Sequence, residues 1–219
     1  MKKIAVFGTG MVGDAIGSKL IELGHSVMMG SRTADNEKAL AFVNKHPAGM
    51  ASAGTYSDAA AFGEMLFNCT KGMSSLEVLK SAGEENLNGK VMVDIANPLD
   101  FSQGMPPTLS VCNTNSLGEE IQRMFPGLKV VKSLNTMWCG LMVNPGMLNG
   151  GEHNVFMSGN DAGAKQEVAA LLKSFGWSER NIIDLGDIKT ARGTEMLLPI
   201  WVNIFISTNN GAFNFRIVR

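Results

Sequence analysis

The 219-residue sequence has no long apolar run, no charge excess and few of the side chains that usually carry acid–base catalysis. Its longest apolar stretch, Met196 to Ile206, contains Pro199 and Asn203 and is shorter than the roughly 20 residues of a membrane span. A net charge of −1 excludes the basic stripe that nucleic acid or an anionic membrane surface requires, so neither is expected as a partner. Cys69, Cys112 and Cys139 are odd in number and lack metal-ligand spacing. They read as free thiols of a reducing cytoplasm, with no metal site. The first apolar run starts at Lys3, which leaves no room for a secretory leader. His25 precedes an apolar run, His46 precedes Pro47 and His153 lies in a polar loop; each reads as a surface or turn residue.

What is present is concentrated in Lys3 to Arg32. Lys3 to Phe7 is a short β-branched apolar run, a buried strand by pattern. Gly8-Thr9-Gly10-Met11-Val12-Gly13 follows, then an amphipathic run to Leu23 with Ile16, Leu20 and Leu23 on one face, stopped by Gly24. Val27 to Met29 is a second strand. Strand, glycine turn, helix and strand make a dinucleotide-binding unit. Gly8 permits the tight turn, Gly10 lets a pyrophosphate approach the backbone, and Gly13 lets the helix pack on the strand. The helix N-terminus offers N–H groups to the phosphates.

The end of the second strand selects the dinucleotide. NAD sites place a carboxylate there for the ribose 2′-OH. This chain has Met28-Met29-Gly30-Ser31-Arg32 and no acid before Asp35. A hydroxyl and a guanidinium suit a 2′-phosphate, so Ser31 and Arg32 predict NADP(H), with Lys38 as a further surface cation.

With 45% apolar residues the chain can bury a parallel sheet. Later elements read as follows: a helix capped at Thr33 or Asp35 with Leu40 and Val43 inward; a weak strand at Met50 to Gly54; a short helix capped by Ser57-Asp58; strands at Met65 to Thr70 and Val91 to Ile95 with a helix from Ser74 or Ser75 between them. Phe101 to Asn113 reads as a loop near the site. A helix capped by Asn115 or Ser116 precedes a strand at Lys129 to Leu134; Met142 to Gly151 reads as irregular. A strand at Val155 to Ser158, a helix opened by Asp161 and a strand at Ile182 to Leu185 complete the sheet. Thr190 to Ile206 reads as a helix kinked by Pro199, and Phe213 to Val218 as an edge strand. The fold class is α/β: a Rossmann-type, doubly wound, mostly parallel sheet in one domain, 1–185 the dinucleotide core and 186–219 a helical segment covering the site.

Several of these stretches together resemble the deazaflavin (coenzyme F420)-dependent NADP oxidoreductase family, in its bacterial and STEAP-reductase-like branch. The resemblance rests on GTGMVG at the start, GSR at Gly30 to Arg32, DIANPLD at Asp94 to Asp100, VVKSLNTM at Val130 to Met137 and DLGDIKTARGTEMLLP at Asp184 to Pro199. It implies that Thr9, Ser31 and Arg32 bind the 2′-phosphate and that Gly8, Thr9, Gly10, Met11 and Val12 cradle the pyrophosphate. It implies that Cys69, Thr70 and Lys71, with Ala96, Asn97 and Pro98, flank the nicotinamide. Asn135, Thr136 and Met137 would face the hydride acceptor, with Asn97 in the same pocket, and Thr190 to Pro199 would form the far wall. Archaeal members carry His where this chain has Asn135, which leaves the acceptor open between a deazaflavin and a flavin.

The chemistry is consistent with that resemblance. Hydride exchange between a nicotinamide and a flavin-like ring needs stacking and distance, with no dedicated side-chain acid or base. Asn97, Asn135 and Thr136 are the polar residues suited to a carboxamide or ring edge. Trp138 and Met137 could wall a planar acceptor; Trp177 and Trp201 read as core. A carbonyl or imine reductase would instead use Lys71 as its acid, because Lys132 lies inside a strand and is expected to point away. An NADP-sensing module without catalysis is the third reading. A homodimer through the apolar C-terminal helix is the expected assembly.

Overall fold

The computed structural model describes residues 1–218. In chain order the strands are β1 (Lys3–Phe7), β2 (Ser26–Ser31), β3 (Ala51–Thr55), β4 (Met65–Asn68), β5 (Val91–Asp94), β6 (Leu99–Asp100), β7 (Thr108–Leu109), β8 (Lys129–Ser133), β9 (Val155–Gly159) and β10 (Ile182–Asp184). The helices are α1 (Met11–Glu22), α2 (Glu37–Asn44), α3 (Tyr56–Phe62), α4 (Gly72–Ala82), α5 (Glu84–Leu87), α6 (Leu117–Met124), α7 (Cys139–Val143), α8 (Ala162–Ser174), α9 (Ala191–Met196) and α10 (Leu198–Thr208).

Eight strands form one sheet in the order β10-β9-β8-β5-β4-β1-β2-β3, and β6 pairs with β7 in a small ribbon. Every neighbouring pair in the sheet is parallel except β8–β9. The winding direction reverses between β1 and β4. That is the switch point at which doubly wound sheets open a crevice.

Period-two alternation sends Ile4 and Val6 to one face and Ala5 and Phe7 to the other. The first face packs on Ile16 and Leu20 of α1, Phe42 of α2 and Val168 and Leu172 of α8. The second packs on Ala59 of α3, Leu79 of α4 and Ile121 of α6. Burial on both faces is why these strands read as continuous apolar runs.

Several boundaries differ from the sequence reading. Asn36, not Thr33 or Asp35, caps α2, its side chain accepting from the Lys38 and Ala39 N–H groups. The buried stripe is Ala39 and Phe42, while of the two residues expected inward Val43 is half-buried and Leu40 exposed. Thr55 caps α3 in a reciprocal box with Asp58, so Ser57 and Asp58 lie inside the first turn. The helix expected from Ser74 begins at Gly72. The supposed loop after Asp100 includes β7, and α7 occupies the start of the irregular stretch. Pro199 separates two helices rather than kinking one, since it sits in the first turn of α10, where no intrahelical N–H is needed.

Phe213 to Val218 is not a strand. It is held by single bonds: Asn154 N–H donates to the Phe215 carbonyl (2.9 Å) and Ile217 N–H to Asn154 Oδ1 (2.7 Å). His153 is buried rather than superficial; its Nε2 meets the Pro145 carbonyl at 3.0 Å and its Nδ1 meets Asn214 Nδ2 at 2.7 Å. Among the described residues no helix is long and apolar enough to cross a membrane, and no cluster of metal-ligating side chains occurs.

Candidate functional site

The crevice begins where β1 ends. Gly8 has φ +109°, and a methyl group there would lie 2.6 Å from the Cys69 carbonyl oxygen. At Gly13 an added methyl would overlap the Gly8 carbonyl oxygen, so the start of α1 packs directly on the turn. Gly10 is different: nothing lies within 4 Å of where its methyl would be. No side chain caps α1, which leaves its first-turn N–H groups available to a ligand.

Beside this turn is a polar cavity of about 570 Å³ lined by Gly8, Thr9, Gly10, Ser31, Arg32, Asn36 and Lys38, with Tyr56, Ser74 and Glu77 opposite. Ser31 is only 4% exposed and donates to the Thr33 carbonyl at 2.6 Å, which keeps its hydroxyl fixed at the end of β2. Among the described residues neither Arg32 nor Lys38 has a carboxylate within ion-pair distance. Two unpaired cations, a buried hydroxyl and an uncapped helix fit a phosphorylated dinucleotide. Burial pushes the Tyr56 hydroxyl above the usual tyrosine range despite the opposing charge of Arg32. Sequence reasoning passed over Tyr56; its signal was its place just past the C-terminal end of β3.

A second cavity, about 610 Å³ and mostly apolar, adjoins the first and shares Cys69, Thr70 and Lys71 with it. Met11, Val12, Ala96, Asn97, Asn135 and Met137 line it, with Phe101 from the expected loop and Leu198 from the expected far wall; Met73, Met142 and Trp201, which the sequence did not single out for this site, join them. Pro98 and Thr136 do not line either cavity; Thr136 is 1% exposed and turned into the interior. The expected far wall comes from Leu198 and Trp201, at the start of α10, rather than from Thr190 to Met196. Trp201 is therefore a wall residue and not plain core. Trp138 is exposed, packs beside Gly140 and Gly211, and takes no part in the wall.

Asn97 and Asn135 bind each other across the floor of this cavity. Asn97 Nδ2 donates to the Asn135 carbonyl at 2.8 Å, and Asn135 Nδ2 donates to Asn97 Oδ1 at 2.9 Å. The chain reaches Asn135 through Leu134, a buried residue with φ +62°. A left-handed leucine costs on the order of 1–3 kcal/mol and turns the chain sharply off β8. Burial, then Asp94 and Cys139, push the Cys69 thiol well above the usual range, so it remains protonated.

Beneath the floor runs a buried polar network. Lys132 Nζ donates to Asp94 Oδ2 (2.7 Å) and the Ala96 carbonyl (2.7 Å), and pairs with Glu195 Oε1 (2.8 Å). Asp94 Oδ1 accepts from Asn68 Nδ2 (2.8 Å) and Ala96 N–H (3.2 Å). Asn68 Oδ1 accepts from Thr70 Oγ1 (2.7 Å). The Glu195 carboxylate also accepts the Leu117 and Gly118 N–H groups at the start of α6. Burial draws the Lys132 ammonium down, but Asp94 and Glu195 outweigh it and hold the group above the usual lysine range. Lys132 is fully buried and cannot reach a ligand as an acid.

Comparison with known proteins agrees with this layout. Residues 3–98 match the family model described as NADP oxidoreductase, coenzyme F420-dependent. A crystal structure from Arthrobacter sp. FB24, provisionally assigned as an F420-dependent NADP reductase, is 52% identical over 100% of both chains with a TM-score of 0.93. The metalloreductase STEAP3 of Rattus norvegicus is 26% identical over 207 residues, 91% of this chain. The chain spans only 38% of that protein's length. A reductive aminase from Aspergillus terreus, solved with NADPH and ethyl-5-oxohexanoate, superposes with a TM-score of 0.66 over 94% of this chain and 63% of that one; at 18% identity the likeness is one of fold. The uncapped glycine turn, the two unpaired cations past β2 and the full-length match at 52% identity lead to one assignment: the chain belongs to the family of NADP oxidoreductases described as coenzyme F420-dependent.

Proposed function

We propose that the chain passes hydride between NADPH and a planar flavin-like acceptor, a flavin or a deazaflavin. The polar cavity takes the adenosine end: Arg32, Ser31 and Thr9 hold the 2′-phosphate, and Gly8 to Val12 hold the pyrophosphate. Cys69 to Lys71 and Ala96 to Asn97 flank the nicotinamide, which supplies the hydride when bound. Asn97 and Asn135 orient the ring edge, and Met137 faces the acceptor.

The observation that carries this reading is the lining of the second cavity. Its walls are methionine, leucine, phenylalanine and tryptophan, and among the described residues no His, Tyr or Glu lines it. Such a surface suits a large flat ring; its charged groups are Lys71 and Asp100, and the Ser102 N–H holds the Asp100 carboxyl below its usual range, ionised and without a proton to give. Lys71, at the seam of the two cavities, is the residue that favours the carbonyl or imine reading. A second copy on the exposed face of α10, where Ile200, Phe205 and Ile206 lie, is the proposed assembly, and the free thiols support a reducing, cytoplasmic setting.

Stopped-flow oxidation of NADPH against deazaflavin, flavin mononucleotide, riboflavin and ferric chelates tests the acceptor. Turnover of a flavin or deazaflavin that survives Lys71→Ala supports the reading. Turnover confined to carbonyls or imines and abolished by that change refutes it, and NADP binding without any turnover points to a sensing module. For the coenzyme half, Arg32→Ala is expected to weaken NADP binding by about 1.5–3 kcal/mol, the range for hydrogen bonds to charged groups, with NAD binding little changed. Equal losses for both coenzymes in calorimetry would remove the 2′-phosphate assignment.

A further inference from the structure

Lys132 is spent on a peculiar task. All three of its ammonium protons have acceptors, in Asp94, Ala96 and Glu195, and none is directed at either cavity. A buried ion cluster of this kind is weak evidence of stability, because well-packed apolar residues of similar volume often serve as well. What the cluster does achieve is geometric. Ala96 is gripped on both sides, its N–H by Asp94 Oδ1 and its carbonyl by Lys132 Nζ. Ala96 lines the apolar cavity, and Asn97 beside it carries the pair to Asn135. On the opposite side, Glu195 binds Lys132 three residues ahead of Leu198, the first residue of the cavity's far wall. One ammonium therefore ties the floor under the proposed nicotinamide to the wall that closes on the acceptor.

We propose that Lys132, paired with Asp94 and Glu195, is a positioning residue that fixes the distance between the nicotinamide seat at Ala96–Asn97 and the acceptor wall at Leu198–Trp201. This rests on the hydride-transfer reading above. Hydride transfer is steep in distance and alignment, and a displacement of about 1 Å from a remote change costs roughly 100-fold in rate.

The test uses Lys132→Met and the double variant Lys132→Met with Asp94→Asn. The double variant leaves the net charge of the cluster as it was and keeps an oxygen for Asn68 and the Ala96 N–H, so it guards against a single variant that fails to fold. Three quantities are measured on each folded variant: affinity for adenosine 2′,5′-bisphosphate, the fluorescence of bound NADPH, and the single-turnover rate with whichever acceptor the unaltered protein uses. The expected result is bisphosphate affinity within about twofold of the parent, loss of the fluorescence gain on NADPH binding, and transfer slowed by roughly 100-fold. Unchanged NADPH fluorescence and rate would overturn the proposal. So would bisphosphate and NADPH weakening together, the mark of general loosening. An unaltered protein that binds NADPH but oxidises it with no acceptor would defeat the hydride-transfer reading instead, while the fluorescence comparison still decides for or against Lys132.

Discussion

Alanine at Gly10 and alanine at Gly13 should damage the protein in opposite ways, though both glycines belong to one turn. At Gly13 the new methyl would overlap the Gly8 carbonyl oxygen and meet its carbon at 3.0 Å. Neither is the end of a flexible side chain. Gly8 cannot retreat, because it already lies against the Cys69 carbonyl with φ +109°. Helix α1 must move instead, and it carries Ile16 and Leu20 of the core. Overpacking costs about 1–3 kcal/mol, and a backbone-on-backbone clash belongs at the upper end. For a chain of this size that lowers Tm by about 6–12 °C. At Gly10 the backbone is extended, with φ −81° and ψ −175°, and the methyl meets nothing. A glycine replaced in a compatible conformation gains about 0.4–1 kcal/mol from the unfolded chain. Gly10→Ala should therefore melt at or above the parent temperature. Its methyl would stand in the polar cavity where phosphates approach, and a lost charge-assisted contact of about 2 kcal/mol raises the NADP Kd roughly 30-fold. Scanning calorimetry of the ligand-free variants and titration calorimetry with NADP read both effects. A Gly10 variant that binds NADP normally, or that melts as early as the Gly13 variant, would refute the division of labour.

Two further outcomes follow from ionisable groups. The Arg192 hydrogen bond, opposed by burial and aided by Ser116, holds the Glu119 carboxyl below its ordinary value of 4.5. A depressed acid stabilises the fold above its unfolded pKa and loses that contribution as pH falls through the folded value. Glu119→Gln should thus be less stable than the parent at neutral pH, with the gap in Tm closing below pH 4.5; a gap constant with pH would count against the Arg192 pairing. Burial keeps the Cys69 thiol protonated, so iodoacetamide should alkylate the exposed Cys112 first and leave Cys69 untouched in mildly alkaline buffer. Mass spectrometry showing Cys69 labelled at the pace of Cys112 would contradict that environment.

The cavity proposed for the coenzyme was legible because its parts are neighbours along the chain. Gly8, Gly10, Ser31 and Arg32 sit at the ends of two strands joined by one helix, and the strand pattern alone brings them together. The acceptor half was not. Met73 lies on α4, Phe101 just after β6, and Leu198 and Trp201 on α10, and their meeting depends on strand order and on the direction of β9. Trp201 carried no sign in the sequence that it would reach a cavity. Period two placed Lys132 inside a strand but said nothing of Glu195, whose approach is set by how α9 lies on α6. In α2 the residues that meet the sheet are Ala39 and Phe42, each one position before the expected Leu40 and Val43, a turn of about 100° in a helix.

The single antiparallel pairing, β8 with β9, has a consequence for how the acceptor end can vary. β9 runs against β8 and β10 follows β9, so the chain leaves the sheet at the end remote from the glycine turn and must travel back before it touches the crevice. It arrives only with Leu198 and Trp201, after every residue lining the glycine-turn cavity has been laid down. On the proposed reading the closing helix is a replaceable panel: swapping it would retune which oxidant docks, while the nucleotide grip stays as it was.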